Sequence, residues 1–530
     1  MRMRKNAGTG NATGTSIALA QVNPCVGDLE GNVERCLAAI ETARNERASL
    51  LVLPEMAIPG TPARDILFDS SFVEAVEAAT QDLARRASAG PPVVVGTLAV
   101  GDAPRTGHPG LLNAAVLMAG GRATLVAAKR LLPTGDVSFE PRWFTPGPAL
   151  PPVTVAGRRV GFLVGEDLWD EGGEVHPPAE LRVLVCIAAS PYHHSVMEQR
   201  RCHARRHARE QGCPVLYVNL WGGNDELIFD GRSFALDAEG RPLVQLPGFE
   251  GAVRVLDFES TPQKDEPTEA ADTQPEADVY RALVLGVRDF ARKNRLARAF
   301  LGLSGGVDSA LVAVIAADAL GPERVTAVAI PSRYTDPRST ACARELAQAL
   351  GIHFEVVALE RLHAAAEETL GNLLSSEESG TTAENVQARL RATILMGFVN
   401  RHGGLLLNTS NKTEAALGYG TLYGDMAGTL CPIADLTKPQ VYELARWIRA
   451  TRGLIPPYIL ERPPSAELKP DQVDPFDYNE VGPAMERLVQ ANRSNAALRR
   501  SEHKRWQMGV VLKVSARAFG TGRMMPITRR

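Results

Sequence analysis

Leu301-Gly302-Leu303-Ser304-Gly305-Gly306-Val307-Asp308-Ser309-Ala310 is the stretch that decides how this chain folds. The apolar run from Ala299 to Leu303 has the length and composition of a buried strand. It ends in a Ser-Gly-Gly turn, and an alanine-rich helical run follows from Ser309. Strand, anion-binding loop and helix therefore follow in order. Gly305 and Gly306 carry no side chains, so backbone N–H groups can close on an oxyanion, and the helix N-terminus adds partial positive charge. Ser304 and Ser309 bring hydroxyl donors, and Asp308 can hold Mg²⁺ on the phosphates. The Gly-Lys-Ser/Thr ending of a kinase-type P-loop is absent, so no lysine reaches the terminal phosphates from this loop.

Around this stretch the chain divides in two. At 530 residues it is too long for one core. One segment, Glu259 to Asp278, is rich in Pro, Glu, Asp and Thr and has almost nothing to bury, which reads as a linker. Before it, β-branched runs at Ser16–Gln21, Leu50–Leu53, Val93–Gly96, Val160–Val164, Val183–Ala188 and Val215–Val218 alternate with helical or loop stretches. After it, strands at Ala299–Leu303, Val325–Ile330, Phe354–Leu359 and Leu405–Leu407 alternate with alanine-rich helices. The second half is thus expected to be a doubly wound parallel α/β sheet, with its nucleotide at the carboxyl ends of the strands.

Composition narrows the class. Hydrophobic residues make up 45% of the chain and charged residues 22%, as in ordinary globular protein. A net charge of −3 gives no reason to expect nucleic acid or an anionic membrane surface. No apolar run approaches the ~20 residues that span a bilayer. The seven cysteines are scattered and fit a reducing cytoplasm. Met1 to Gly14 reads as a frayed tail without the apolar core of a signal peptide.

Further motifs lie downstream of the loop. Glu384-Asn385-Val386-Gln387-Ala388-Arg389 opens a helix, and Leu407-Asn408-Thr409-Ser410-Asn411-Lys412-Thr413-Glu414 is a strand end running into a polar loop. Gly418 to Gly428, Asp435-Leu436-Thr437-Lys438, Pro464-Ser465-Ala466-Glu467-Leu468 and Glu502-His503-Lys504-Arg505 complete the set. SGGVDS resembles the pyrophosphate loop of ATP pyrophosphatases, and the whole set over 279–530 resembles the synthetase domain of the NAD synthetase family. The resemblance implies that ATP activates the nicotinate carboxylate of deamido-NAD as an adenylate, which ammonia attacks to give the amide, AMP and pyrophosphate. It implies ATP contacts at Gly302, Leu303, Ser304, Gly305, Gly306, Val307, Asp308, Ser309 and Thr409. Asn385, Glu414, Lys438 and Lys504 fall on the deamido-NAD side, and Asp308 with Glu414 would hold Mg²⁺. A homo-oligomer is also implied.

Residues 15–258 resemble the nitrilase-type glutaminase domain fused to many members of that family. The matching segments include Leu53-Pro54-Glu55, Lys129-Arg130-Leu131-Leu132-Pro133, Gly165-Glu166-Asp167-Leu168-Trp169 and Ala189-Ser190-Pro191-Tyr192-His193. An αββα sandwich is implied, with a Glu–Lys–Cys triad in which glutamate is the base, lysine steadies the oxyanion and a thiolate attacks the amide. Glu55 and Lys129 stand at the first two positions, and Glu140 at that of an auxiliary glutamate. The third position is Gly165, which has no side chain and hence no nucleophile. The family's glutamine-pocket tyrosine and lysine are replaced by Gly135 and Val196. Loss of nucleophile and pocket together is expected to leave a scaffold without glutaminase activity, the synthetase half then using free ammonia. Cys186, in an apolar strand, and Cys202, in the basic run Arg200 to His207, are read as a buried inert thiol and a residue of a solvated helix face.

Departures from the family pattern at Ile330, Pro475 to Glu480 and Trp506 to Gly509 leave a second reading open, a paralogue that adenylates and amidates a different carboxylate. A non-catalytic partner of an active synthetase is the third.

Overall fold

The computed structural model describes residues 16–101, 107–173, 175, 177, 180–257, 274–374, 381–520, 523 and 525. The expected tail (1–14) and residues 259–273 of the expected linker lie outside the described residues.

Alternation within the strands builds the first half. Ile17, Leu19, Leu50, Val52 and Val94 point one way and meet Val160, Phe162, Val183, Val185 and Leu216 of a second sheet. Ala18, Ala20, Leu51, Val93 and Val95 point the other way, onto the helices Leu29–Asn45 and Ser70–Arg86. In the second sheet, Leu184, Cys186, Val215 and Tyr217 face the helix Val196–Gln211. This period of two places two apolar faces on the central strands and gives the expected αββα sandwich. Each sheet has six strands. In spatial order the first runs Ala252–Asp257, Ser16–Gln21, Leu50–Val52, Val93–Val100, Leu111–Ala119, Arg122–Ala128. The second runs Pro242–Gln245, Phe234–Leu236, Val215–Asn219, Val183–Ala188, Arg158–Val164, Val153–Val155. The antiparallel hairpin of Leu111–Ala119 with Arg122–Ala128 was not among the expected strands; Gly120 and Gly121, both at positive φ, make its turn.

The second half has a parallel four-stranded sheet in the order His353–Val356, Val325–Ala329, Ala299–Gly302, Leu405–Leu406. The helix Val307–Leu320 is buried on nearly every side and starts two residues earlier than the alanine pattern implies. Its loop and those after Ala329 and Leu406 lie at the carboxyl ends of the strands.

The expected linker is too long at its C-terminal end. Pro275 to Asp278 form the first turn of the helix Pro275–Lys293, with Pro at the start and Glu276 and Asp278 beside the positive end of the helix dipole. Asp278 is buried and paired with Arg232 of the first half at 2.6 Å. The basic run at Arg200 also differs from its expected solvated state, because Arg200 is fully buried against Asp230 at 2.8 Å and His207 is buried beside it in the helix.

Helix Pro275–Lys293 joins the halves. Tyr280, Leu283 and Val287 share one apolar cluster with Tyr192, Ile228 and Phe249 of the first half and Leu311 and Ile315 of the second. Asp289, 1% exposed, accepts from Asn23 Nδ2 at 2.6 Å and the Gly223 N–H at 2.9 Å. Lys293 Nζ donates to Asn23 Oδ1, the Pro24 carbonyl and Asn224 Oδ1 at 2.6–2.8 Å. No described helix is long and apolar enough to cross a membrane.

Replacing Asp289 with Ala leaves two donors of the first half, Asn23 Nδ2 and the Gly223 N–H, without their acceptor. The expected cost is about 3 kcal/mol, read as a lower urea midpoint; a change under about 1 kcal/mol contradicts the account of this seam.

Candidate functional site

In the first half, three strand ends converge. Leu50–Val52 leads to Glu55, Arg122–Ala128 to Lys129 and Arg158–Val164 to Gly165. Gly96 lets Glu55 in, since a Cβ there would lie 2.4 Å from Glu55 Cα. Asp167 accepts from the Arg130 and Leu131 N–H groups at 2.9 Å and so ties the exit of the Lys129 strand to that of Gly165. Burial, partly offset by these donors, pushes the Asp167 carboxyl up to about 6.

Lys129 Nζ sits 3.1 Å from Glu55 Oε1, 2.6 Å from Glu140 Oε1 and 2.6 Å from Glu166 Oε2, and its side chain is 2% exposed. Glu55 also accepts from Asn113 Nδ2 at 2.6 Å and the Ala189 N–H at 2.8 Å. Burial works against the Lys129 ammonium, but the carboxylates of Glu140, Glu166 and Glu55 outweigh it and hold its pKa well above the ordinary value. Burial raises Glu140 to about 8, opposed by Lys129 and reinforced by Glu166 and Glu55. The structure therefore brings Glu55, Lys129 and Glu140 together, and adds Glu166, which the sequence reading had only as part of a matching segment.

Gly165 lies at the centre of this cluster with φ +53. A Cβ on it would be 2.7 Å from Glu55 Oε2 and 2.8 Å from Lys129 Nζ, so these two side chains reach into the space a side chain would use. Cys186 cannot serve instead. Its Sγ is 3.9 Å from the Gly165 carbonyl, but it is fully buried on the helix-facing side of the sheet, and burial with the nearby Glu55, Asp167 and Glu166 charges raises the thiol well above its usual range. Cys202 is exposed on the outer helix. An adjoining cavity of about 540 Å³ is lined by Glu55, Asn113, Phe139, Glu140, Trp143 and Glu166. Gly135 and Val196 are not part of that lining: Gly135 is exposed in a short hairpin, and Val196 is buried in the core that crosses the seam.

In the second half, a cavity of about 290 Å³ opens at the carboxyl ends of the parallel strands. Gly302, Leu303, Ser304, Gly306, Val307, Asp308, Ser309 and Thr409 line it, with Glu414 and Lys438. Gly305 lies behind at φ +81, where a Cβ would come 2.2 Å from the Ser339 carbonyl, so only glycine fits. The Gly306 N–H donates to Ser304 Oγ, and Ser304 and Ser309 hydroxyls are 3.2 Å apart, which shapes the loop from within.

Asp308, Glu414 and Lys438 form the charged centre. Lys438 Nζ is 2.5 Å from Asp308 Oδ2 and 3.0 Å from Glu414 Oε1. Asn411 caps the helix Lys412–Leu417 through its Oδ1 and donates to Asp308 Oδ1 at 2.9 Å. Burial raises the Glu414 carboxyl, with Lys438 opposing and Asp308 adding. Among the described residues no group of three or more His, Cys, Asp and Glu could hold a metal. Mg²⁺ is commonly held by one or two carboxylates plus substrate phosphates, and the Asp308–Glu414 pair fits that donor set.

Asn385 and Lys504 lie outside this lining. Asn385 Oδ1 accepts from Thr421 Oγ1 at 2.7 Å, and Lys504 Nζ donates to the Gly418 and Gly420 carbonyls at 2.7 Å. Both brace the segment whose Tyr419, Gly424 and Asp425 face the cavity. The sequence reading missed Arg391 and Arg462, two guanidinium groups in the lining. Arg462 Nη1 is 2.9 Å from Glu467, inside a motif that had been singled out. Among the departures, Tyr478 places its ring 5.2 Å from Lys438 Nζ, while Trp506 is 62% exposed.

Residues 279–517 match the family described as NAD synthase, and residues 16–260 the one described as carbon-nitrogen hydrolase. The chain is 38% identical to the glutamine-dependent NAD(+) synthetase of Rhodobacter capsulatus, over 97% of this chain and 98% of that one. It is equally 38% identical, with the same coverage, to the enzyme of that name from Synechocystis. Among solved structures, the glutamine-dependent NAD+ synthetase of Acinetobacter baumannii in complex with ADP superposes with a TM-score of 0.77 at 28% identity, covering 97% of this chain and 98% of that one.

The raised Glu140 carboxyl makes a pH prediction. Its folded-state pKa lies above the unfolded value, so its stabilisation is present at the low end and lost as pH rises between its ordinary 4.5 and about 8. Urea midpoints should fall across that window, and Glu140→Gln should flatten the slope; an unchanged slope in the variant would place the titration elsewhere.

Proposed function

The chain belongs to the glutamine-dependent NAD(+) synthetase family, and from that premise we propose that it amidates deamido-NAD to NAD at the expense of ATP, with free ammonia as its nitrogen source. The observation that carries the choice of ammonia is Gly165, a residue without a side chain at the point between Glu55 and Lys129 where a nucleophile has to stand.

A carboxylate is a poor acyl donor because its leaving group would be oxide. In the proposed reaction the nicotinate carboxylate attacks the α-phosphorus of ATP and pyrophosphate departs. Ammonia then forms the C–N bond at the acyl carbon, and AMP leaves. The protein's work is positioning and charge neutralisation. The Ser304–Ser309 loop and the start of helix Val307–Leu320 support phosphate binding, and the cations Arg391, Arg462 and Lys438 stand around the same cavity. Mg²⁺, held by Asp308 and Glu414, would neutralise phosphate charge there. Thr409 sits with the ATP loop in the lining. Asn385 and Lys504 act on the deamido-NAD side through the Gly418–Asp425 segment that they hold. Identity of 38% over nearly the full length favours deamido-NAD over a different carboxylate.

For the first half, Glu55 and Lys129 retain positions for a general base and an oxyanion partner, but no covalent intermediate can form. Removal of a covalent nucleophile costs ~10⁴–10⁶ in rate. NAD formation from deamido-NAD, ATP and Mg²⁺ should therefore proceed with ammonium as sole nitrogen source, and with glutamine fall at least ~10⁴-fold lower. Comparable rates with the two would sink the ammonia reading, and no product with either would sink the choice of carboxylate. Gly165→Cys alone should leave the glutamine rate low, because φ +53 strains any side chain there and Glu55 Oε2 and Lys129 Nζ would have to shift to admit its Cβ.

A further inference from the structure

The two carboxylates assigned to the metal are already engaged by a cation that the chain supplies. Lys438 Nζ contacts Asp308 Oδ2 at 2.5 Å and Glu414 Oε1 at 3.0 Å; its side chain is 5% exposed and each carboxylate 17%. The arrangement is held from several sides. Asn411 Nδ2 donates to the second oxygen of Asp308 at 2.9 Å, and its backbone N–H reaches Glu414 Oε2 at 3.4 Å. The Tyr478 ring lies against Lys438 at 5.2 Å. Lys438 also opens the helix Lys438–Arg452, where the helix dipole disfavours a cation. Two carboxylates are what keep the ammonium there.

With both carboxylates ionised, this cluster of two acids and one ammonium carries a single net negative charge. A divalent cation coming to Asp308 and Glu414 would meet the ammonium at contact distance in a poorly screened setting, where like charges repel strongly. An ammonium expelled without a new partner would be a buried, uncompensated charge, which is also strongly unfavourable. The same cavity offers that partner, because Lys438 shares its lining with Ser304, Gly306 and Ser309 of the phosphate loop.

We propose that Lys438 is an exchangeable counter-ion, holding Asp308 and Glu414 until a polyphosphate takes it over and leaves the two carboxylates to the divalent cation. The proposal rests on the assignment of Asp308 and Glu414 as the metal pair. Metal and nucleotide then bind with positive coupling, since each provides the charge that the other's arrival calls for, and the coupling is reciprocal. Lys438 is in this sense a positioning residue as well as a phosphate contact: it links the filling of the metal site to that of the phosphate site.

The test is Mn²⁺ binding to the full chain without nucleotide, read by the electron paramagnetic resonance of free Mn²⁺. Lys438→Met removes the competing charge and keeps most of the side-chain stem. It should bind Mn²⁺ about 10- to 100-fold more tightly than the parent, a range typical of coupling between sites. The gain should disappear in Lys438→Met/Asp308→Asn. Lys438→Gln, which keeps a hydrogen-bond donor for the carboxylates, carries the same comparison if the methionine variant does not fold. Equal Mn²⁺ affinity in parent and variant, lost in both on Asp308→Asn, would overturn the exchange and leave the metal pair standing. No Mn²⁺ binding in either Lys438 variant would overturn the metal pair and the exchange together.

Discussion

A buried ammonium stays charged only among carboxylates, and much of this molecule is arranged around that requirement. Lys129 is enclosed by Glu55, Glu140 and Glu166, Lys412 by Asp435 and Glu486 at 3.0 and 2.7 Å, and Lys438 by Asp308 and Glu414. Each of the three lysines is less than a tenth exposed. Removing one member of such a cluster strands the others, so the cluster resists piecemeal loss. This explains how Glu55, Lys129 and Glu140 can persist around Gly165. Their charges satisfy one another in the interior of the sandwich whether or not any chemistry takes place there. The presence of such residue types is therefore by itself weak ground for activity.

The two halves meet through more than a tether. Helix Pro275–Lys293 contributes apolar residues to a core drawn from both, and Asp289 and Lys293 place buried polar ties across it. A second join lies near the C-terminus. Asp435, partner of Lys412, accepts from the Val514 and Ser515 N–H groups, and the nearby Ala518 N–H donates to Asp136 in the first half. The buried Lys412–Asp435 pair thus braces the segment that touches the first half. A scaffold role for that half needs only this docking.

Much of the fold could be read from the chain because its signals are local. The run Ala299 to Ser309 specifies strand, turn and helix within a dozen positions, and the strands of both halves show as short apolar runs. The hairpin at Gly120-Gly121 was missed although Leu111–Ala119 carries an apolar run and is buried along most of its length; only Arg122–Ala128 is partly exposed on one face. Asp278 and Arg200 were read as solvated because charge in a sequence carries no record of its partner; Arg232 and Asp230 are the partners, each more than twenty residues away. Glu55, Lys129, Glu140, Asp308, Glu414 and Lys438 were named through family resemblance. Glu166, Arg391 and Arg462 were not singled out because a charged residue on a turn, on a helix face or before a proline pair is ordinarily at the surface. The site that they complete exists only once distant strands and loops converge.

The origin of the amide nitrogen is the most direct test of Gly165. The most direct measurement gives the intact chain deamido-NAD, ATP and Mg²⁺ with amide-¹⁵N glutamine and unlabelled ammonium together, and reads the NAD product by mass spectrometry. Unlabelled NAD throughout is the predicted result, because without a side chain at Gly165 no nitrogen leaves glutamine. ¹⁵N in the carboxamide would contradict it and would mean that the first half still hydrolyses glutamine by some other nucleophile.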